Sequence, residues 1–166
     1  MAYLTKEQYE RREMNAAART AENCETAMEN GMDAKMAEAM AWLCSVRHRI
    51  HCNINDLYNE ECSGYDEMER LLCGGIQDEL EAAGLKNSLN WDGEMASVPS
   101  LYCIDDEHGL DPLDDDYEER KDAAMSEDLA ELGKFGSKVN AEIEEFMREI
   151  DREYGTSFCP TGALRK

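Results

Sequence analysis

Two kinds of residue in this chain are spaced for chemistry. The stretch Cys44-Ser45-Val46-Arg47-His48-Arg49-Ile50-His51-Cys52 puts soft ligands at successive i, i+4 and i+8 positions, with His51 close by. Such donors suit zinc, or a thiol nucleophile beside an imidazole base. On a helix, however, the outer two cysteines stand about 12 Å apart, so the set cannot close on one tetrahedral ion. Two members would need help from Cys24, Cys62 or Cys73 on neighbouring helices, and nothing in the spacing singles out one thiol. The expectation is therefore structural thiols, with no cofactor and no metal.

Carboxylates also recur at helical spacing, in Asp66/Glu69, Asp78/Glu81 and Glu142/Glu145. Pairs of that kind on facing helices can hold Mg²⁺ for phosphoryl chemistry. The arrangement is similar, in a generic way, to that of all-helical nucleotide pyrophosphohydrolases of the MazG type, which implies a metal-dependent hydrolase as an alternative function. The paired Glu-x-x-Glu and Glu-x-x-Asp elements of that family do not align with two particular helices here. In a chain this acidic, solvated helix faces account for the same spacings. Gly-rich phosphate loops, zinc-finger spacings and a Gly-x-Ser-x-Gly elbow are all absent.

The densest feature is the run from Asp105 to Glu119, which carries nine carboxylates and no Lys or Arg. Unpaired ionised carboxylates are too costly to bury, so this run must face water, a cation or a basic partner. It departs from the EF-hand pattern, because Gly109 is misplaced among the ligands and Pro112 follows closely. The formal net charge of the whole chain is −21. Residues 61–119 contribute −16 of it, from 2 basic and 18 acidic side chains. A surface of this sign repels nucleic acid and anionic membranes, which excludes direct binding to either.

The elements that must carry these residues follow from periodicity. Thr5 and Gln8 form a capping-box pattern opening a helix over about 6–29, with Tyr9, Ala16, Ala17, Thr20, Cys24, Ala27 and Met28 on one side. Asp33 caps a second helix to about Tyr58, antiparallel to the first. A third places Tyr65, Met68, Leu72, Ile76 and Leu80 on one face, is interrupted at Gly74-Gly75 and ends at Gly84-Leu85. Residues 86–110 read as a long loop, with one short extended piece from Val98 to Ile104. Asp111-Pro112 then reads as the start of a helix over 112–132, and Gly133-Lys134-Phe135-Gly136 as a turn into a last helix capped by Ser137.

The expected fold is thus all-α, or mainly α with a short extended segment. About five helices form a hairpin or bundle arrangement with one long acidic loop. The expected organisation is a three-helix region at 1–85, an irregular acidic connection at 86–111, a helical hairpin at 112–155 and a flexible tail at 156–166, in one cooperative domain. Seven cysteines without a Cys-x-x-Cys suggest small, buried, reduced thiols. With no apolar leader and no long apolar stretch, a soluble cytoplasmic protein is expected.

The functional expectation is electrostatic. A helical scaffold with its charge concentrated in one third of its length suits docking on a basic, nucleic-acid-binding surface of a partner protein. Asp105, Asp106, Glu107, Asp111, Asp114, Asp115, Asp116, Glu118 and Glu119 would stand in for phosphates, with Tyr117 or Tyr102 as an aromatic anchor. DNA-mimic inhibitors of restriction or CRISPR effectors work by such charge mimicry. The competing expectations are the hydrolase above, a helical adaptor or oligomer using an apolar face, and an acidity that serves solubility and helix ends alone.

Overall fold

The first helix starts where its capping residues stand. Thr5 Oγ1 accepts the Gln8 amide at 3.2 Å, and Gln8 Oε1 accepts the Thr5 amide at 2.9 Å. This reciprocal box satisfies two donors that a helix start otherwise leaves orphaned. The computed structural model describes residues 4–58, 70–87, 89 and 103–159, excepting the side chains of residues 53–58, 72 and 73. Among them are five helical segments and no strand: α1 (Lys6–Glu29), α2 (Ala34–Tyr58), α3, α4 (Ile104–His108) and α5 (Tyr117–Tyr154). Segment α3 is a π-helical turn over Leu71–Gly75 that runs into an α-helix over Ile76–Ala82. The fold is all-α.

The join between α1 and α2 is as the residue types dictate. Met32 donates its amide to Ala27 O at 2.9 Å and Gly31 to Met28 O at 3.1 Å, which closes α1. Asp33 Oδ1 then accepts the Lys35 amide at 2.9 Å and opens α2. Cys24 Sγ donates to Ala37 O at 3.4 Å, tying the two helices as an antiparallel hairpin would.

The expected packing stripe of α1 is corrected over most of its length. Residues 4–19 are all exposed, Tyr9 at 48% among them, and full burial is reached only at Ala27. Tyr9, Ala16, Ala17 and Met28 face water. The helix holds without that burial because its first turns are rich in strong helix formers, are capped, and carry charge pairs such as Lys6–Glu10 at 3.9 Å.

The glycine pair in α3 has a backbone role. Gly74 has φ +103°, and a Cβ on Gly75 would lie 3.0 Å from the Arg70 carbonyl oxygen. The expected interruption is this wide turn. Leu85 N bonds to Leu80 O and Gly84 N to Glu81 O, both at 2.9 Å, ending α3 as expected. Tyr65 and Met68 lie outside the described residues.

The expected hairpin at 112–155 is instead one helix. Helix α5 runs for 38 residues through Gly133-Lys134-Phe135-Gly136, and both glycines are buried within it. Two glycines cost about 2 kcal/mol in propensity. The apolar phase nevertheless continues across them, through Leu129, Leu132, Phe135, Val139, Ile143 and Met147, all buried. Burial on that scale, at about 25 cal/mol per Å² of apolar surface, outweighs the local glycine signal.

The expected loose tail is also corrected, over its first residues. Asp151 Oδ1 accepts the Thr156 hydroxyl and the Phe158 amide, each at 2.7 Å, and Oδ2 accepts the Cys159 amide at 3.0 Å. Ser157 N donates to Asn23 Oδ1 at 2.9 Å, and Asn30 Nδ2 to Tyr154 O at 2.7 Å. Thr156, Phe158 and Cys159 are buried as a result. Residues 160–166 lie outside the described residues.

Contacts divide the chain into two compact units. Unit 1 comprises Met1–Val46, Glu79–Asn87 and Glu144–Lys166, and its core includes Ala27, Met40, Leu43, Leu80, Phe146, Met147 and Phe158. Unit 2 comprises Arg47–Asp78 and Ser88–Ile143, with Ile50, Leu71, Ile76, Ile104, Leu129, Leu132, Val139 and Ile143 buried. No helix among the described residues is long and apolar enough to cross a membrane.

Candidate functional site

The acidic run lies in unit 2, on α4, the turns that follow it and the start of α5. Helix α4 forms around one apolar anchor, Ile104, which is 3% exposed. Its C-terminus closes at Gly109, where φ is +61° and Leu110 N donates to Asp105 O at 2.8 Å. A glycine reaches that left-handed conformation without the Cβ penalty. The extended piece expected up to Ile104 is therefore helix at its end; residues 98–102, with Tyr102, lie outside the described residues.

Asp111 does not begin a helix at Pro112. Its Oδ1 accepts the Leu113 amide at 2.9 Å, and its carbonyl accepts the Asp114 amide at 3.0 Å, which makes a turn. Leu113 is 90% exposed, so no burial draws residues 112–116 into the helix. Helix α5 opens five residues later than Pro112, with Asp116 O accepting the Arg120 amide at 3.0 Å.

Two side-chain ties fix α4 against α5. In the first, the Tyr117 hydroxyl donates to Asp105 at 2.9 and 3.1 Å, and Lys121 Nζ donates to the Tyr117 oxygen at 2.8 Å. The lysine lies 5.2 Å from the ring centroid, a distance set by its bond to the phenol oxygen rather than by stacking over the ring face. That hydrogen bond, with the charges of Asp105 and Glu118 behind it and some desolvation against it, raises the Lys121 pKa. In the second tie, His108 Nε2 lies 2.9 Å from Asp128 Oδ1. The bond to Asp128 raises the His108 pKa against an opposing desolvation, and the charges of Asp128, Glu127 and Glu107 raise it further.

The expected interaction residues thus separate into two groups. Asp105 and Tyr117 are half-buried and bound to one another, so Tyr117 is a brace rather than an open aromatic anchor. Asp111 spends one oxygen on the backbone, and Asp114 lies 3.7 Å from Arg120. Asp106, Glu107, Asp115, Asp116, Glu118 and Glu119 are exposed, with no ion pair among the described residues.

Sequence reasoning missed His108 and Asp128. A signal for the second was present: Ala124, Asp128 and Leu132 fall in one phase of α5, so Asp128 is an acid at a core position, 3% exposed. Nothing in spacing pairs it with a histidine 20 residues earlier.

The other candidate groups form no cluster of three among the described residues. Cys52 Sγ sits 3.5 Å from His48 Nε2, whereas Cys44 Sγ bonds to Phe158 O at 3.9 Å. Cys103 is exposed and Cys24, Cys44 and Cys52 are half-buried, so of the described thiols expected to be buried only Cys159 is. Glu145 pairs with Arg148 at 3.2 Å, and Asp78 and Glu81 are exposed. Asp66, Glu69, Cys62 and the Cys73 side chain lie outside the described residues. Among those described, no three His, Cys, Asp or Glu side chains group to hold a metal ion. No family model matches the chain, and neither a curated protein nor a solved structure matches it.

Proposed function

We propose that this is a non-enzymatic interaction protein that docks its α4–α5 acidic surface on a basic, nucleic-acid-binding surface of a partner protein, in the manner of DNA- or RNA-mimic inhibitors of CRISPR or restriction effectors. The observation that supports this reading is one of arrangement. Six exposed carboxylates sit without ion pairs among the described residues, on α4, the turn that follows it and the start of α5, which two internal ties hold together. Acids that served solubility alone would need no such bracing. Preorganised charge of one sign steers a complementary partner and lowers the cost of ordering on contact. The cytoplasm, where such effectors act, is its place in this reading.

The test is binding to purified Lys/Arg-rich nucleic-acid-binding effectors, measured across salt concentrations and in competition with duplex DNA. A complex lost at high salt, displaced by DNA and abolished when the six carboxylates are neutralised together supports docking. A complex indifferent to salt and to the sixfold neutralisation overturns it and points to an apolar adaptor surface.

A further inference from the structure

The two ties of α4 differ in kind. The Tyr117–Asp105 bond joins a phenol to a carboxylate, whereas the second sets the imidazole of His108, the side chain most readily switched by a proton, against a carboxylate. The imidazole's partner Asp128 is buried, with Oδ1 facing His108 and Oδ2 buried without a hydrogen-bond partner among the described residues. A buried carboxylate with one oxygen unmatched depends on that neighbour for charge compensation. An imidazolium offers that carboxyl group both a hydrogen bond and an opposite charge; a neutral imidazole offers a hydrogen bond at most, according to its tautomer. Among the described residues, the charged groups acting on His108 are Asp128 and Glu127 of α5 and Glu107 of its own helix. All three are anionic, so each favours the imidazolium. Helix α4 has only five residues, too few to persist without such attachments.

We infer that α4 is a proton-operated clasp: while His108 is charged it pins the short helix to α5 through Asp128, and when it is uncharged the stretch 103–116 loosens, tethered by Asp105 to Tyr117 and Lys121. Histidine holds its proton more tightly in the folded chain than in the unfolded one. The clasp is therefore whole below about pH 6.5 and is lost as pH rises through the raised folded value. The clasp stands on the free protein's geometry; its effect on docking, a less ordered acidic surface at alkaline pH, rests on the reading above.

The experiment is hydrogen exchange of the full chain from pH 6 to pH 9, normalised to intrinsic rates, alongside NMR titration of the His108 ring. Protection in peptides covering 104–116 should fall by roughly tenfold for each unit by which the folded pKa exceeds the unfolded one. Its midpoint should coincide with the His108 titration, while amides of 135–147 keep their protection. His108→Gln should show low, pH-independent protection, and Asp128→Asn should lower the His108 titration toward the ordinary range, with Glu127 and Glu107 still acting on it. Flat wild-type protection, or a fall that survives in His108→Gln, overturns the clasp. Because no partner is present, either result leaves the docking reading to its own test.

Discussion

Tyr117 and Asp105 stand twelve residues apart in sequence and meet through a phenol hydroxyl that donates to the carboxylate at 2.9 Å. Lys121 donates to the same phenol oxygen and lies 3.8 Å from Asp105 Oδ1, so the phenol bridges a cation and an anion that also meet directly. Tyr117→Phe removes the bridge and keeps the ring. The expected loss is about 1 kcal/mol, read by urea unfolding, with faster amide exchange at Leu110. The pH behaviour should change too. Lys121 has a raised folded pKa, so its contribution is whole below about pH 10.5 and lost as pH rises through the folded value. The phenylalanine variant should lose part of that alkaline dependence.

Neutralising Asp106 and Asp115 to amides should leave the free protein's melting temperature unchanged or slightly raised, since self-repulsion falls. Extending the set to Asp116, Glu118 and Glu119 should give part of this back. Those three sit at the start of α5, where a negative charge is worth about 0.3–1 kcal/mol against the helix dipole. Thermal unfolding of the two variants side by side checks the difference.

Asp151→Ala should release the segment at 156–159, because one carboxylate receives three of its donors. The expected cost is about 2–3 kcal/mol, as for bonds to a charged acceptor. Limited proteolysis should then cut near Phe158, which the wild-type chain buries. An uncut variant of unchanged stability would show that apolar burial alone holds the segment.

Gly74→Ala should destabilise by about 1–2 kcal/mol through its left-handed backbone, since a Cβ there meets nothing within 4 Å among the described residues. Gly75→Ala acts by a different route, contact with the Arg70 carbonyl at 3.0 Å. Urea midpoints of the two variants and their double mutant test whether the effects share one local rearrangement.

Alkylation of the native protein should label Cys103 well before Cys24. The first is exposed; the second is half-buried, and burial pushes its thiol pKa up, lowering the reactive thiolate fraction. Peptide-resolved mass spectrometry at short times reads the order directly.

Features written in adjacent residues were legible before the structure. Thr5 with Gln8, Asp33, and Gly84 with Leu85 are local devices whose chemistry is complete within a few positions. The acidic run was legible as charge, because composition survives any fold. Its bracing was not, since His108 with Asp128 depends on two elements meeting in space. The same limit explains the error at Gly133 to Gly136. Two local breaker residues signal a turn there, while the apolar phase that overrides them runs on from Leu132 to Val139.

That continuity makes the spacing between Leu132 and Val139 a counted quantity. They are one heptad apart on an unbroken helix, and both are buried. Removing a single residue between them would rotate every later side chain of α5 by about 100°, turning Val139 and Ile143 toward water while the helix itself survived. Substitution within Gly133-Lys134-Phe135-Gly136 alters what fills a space; a change in its length would alter which way the rest of the rod faces.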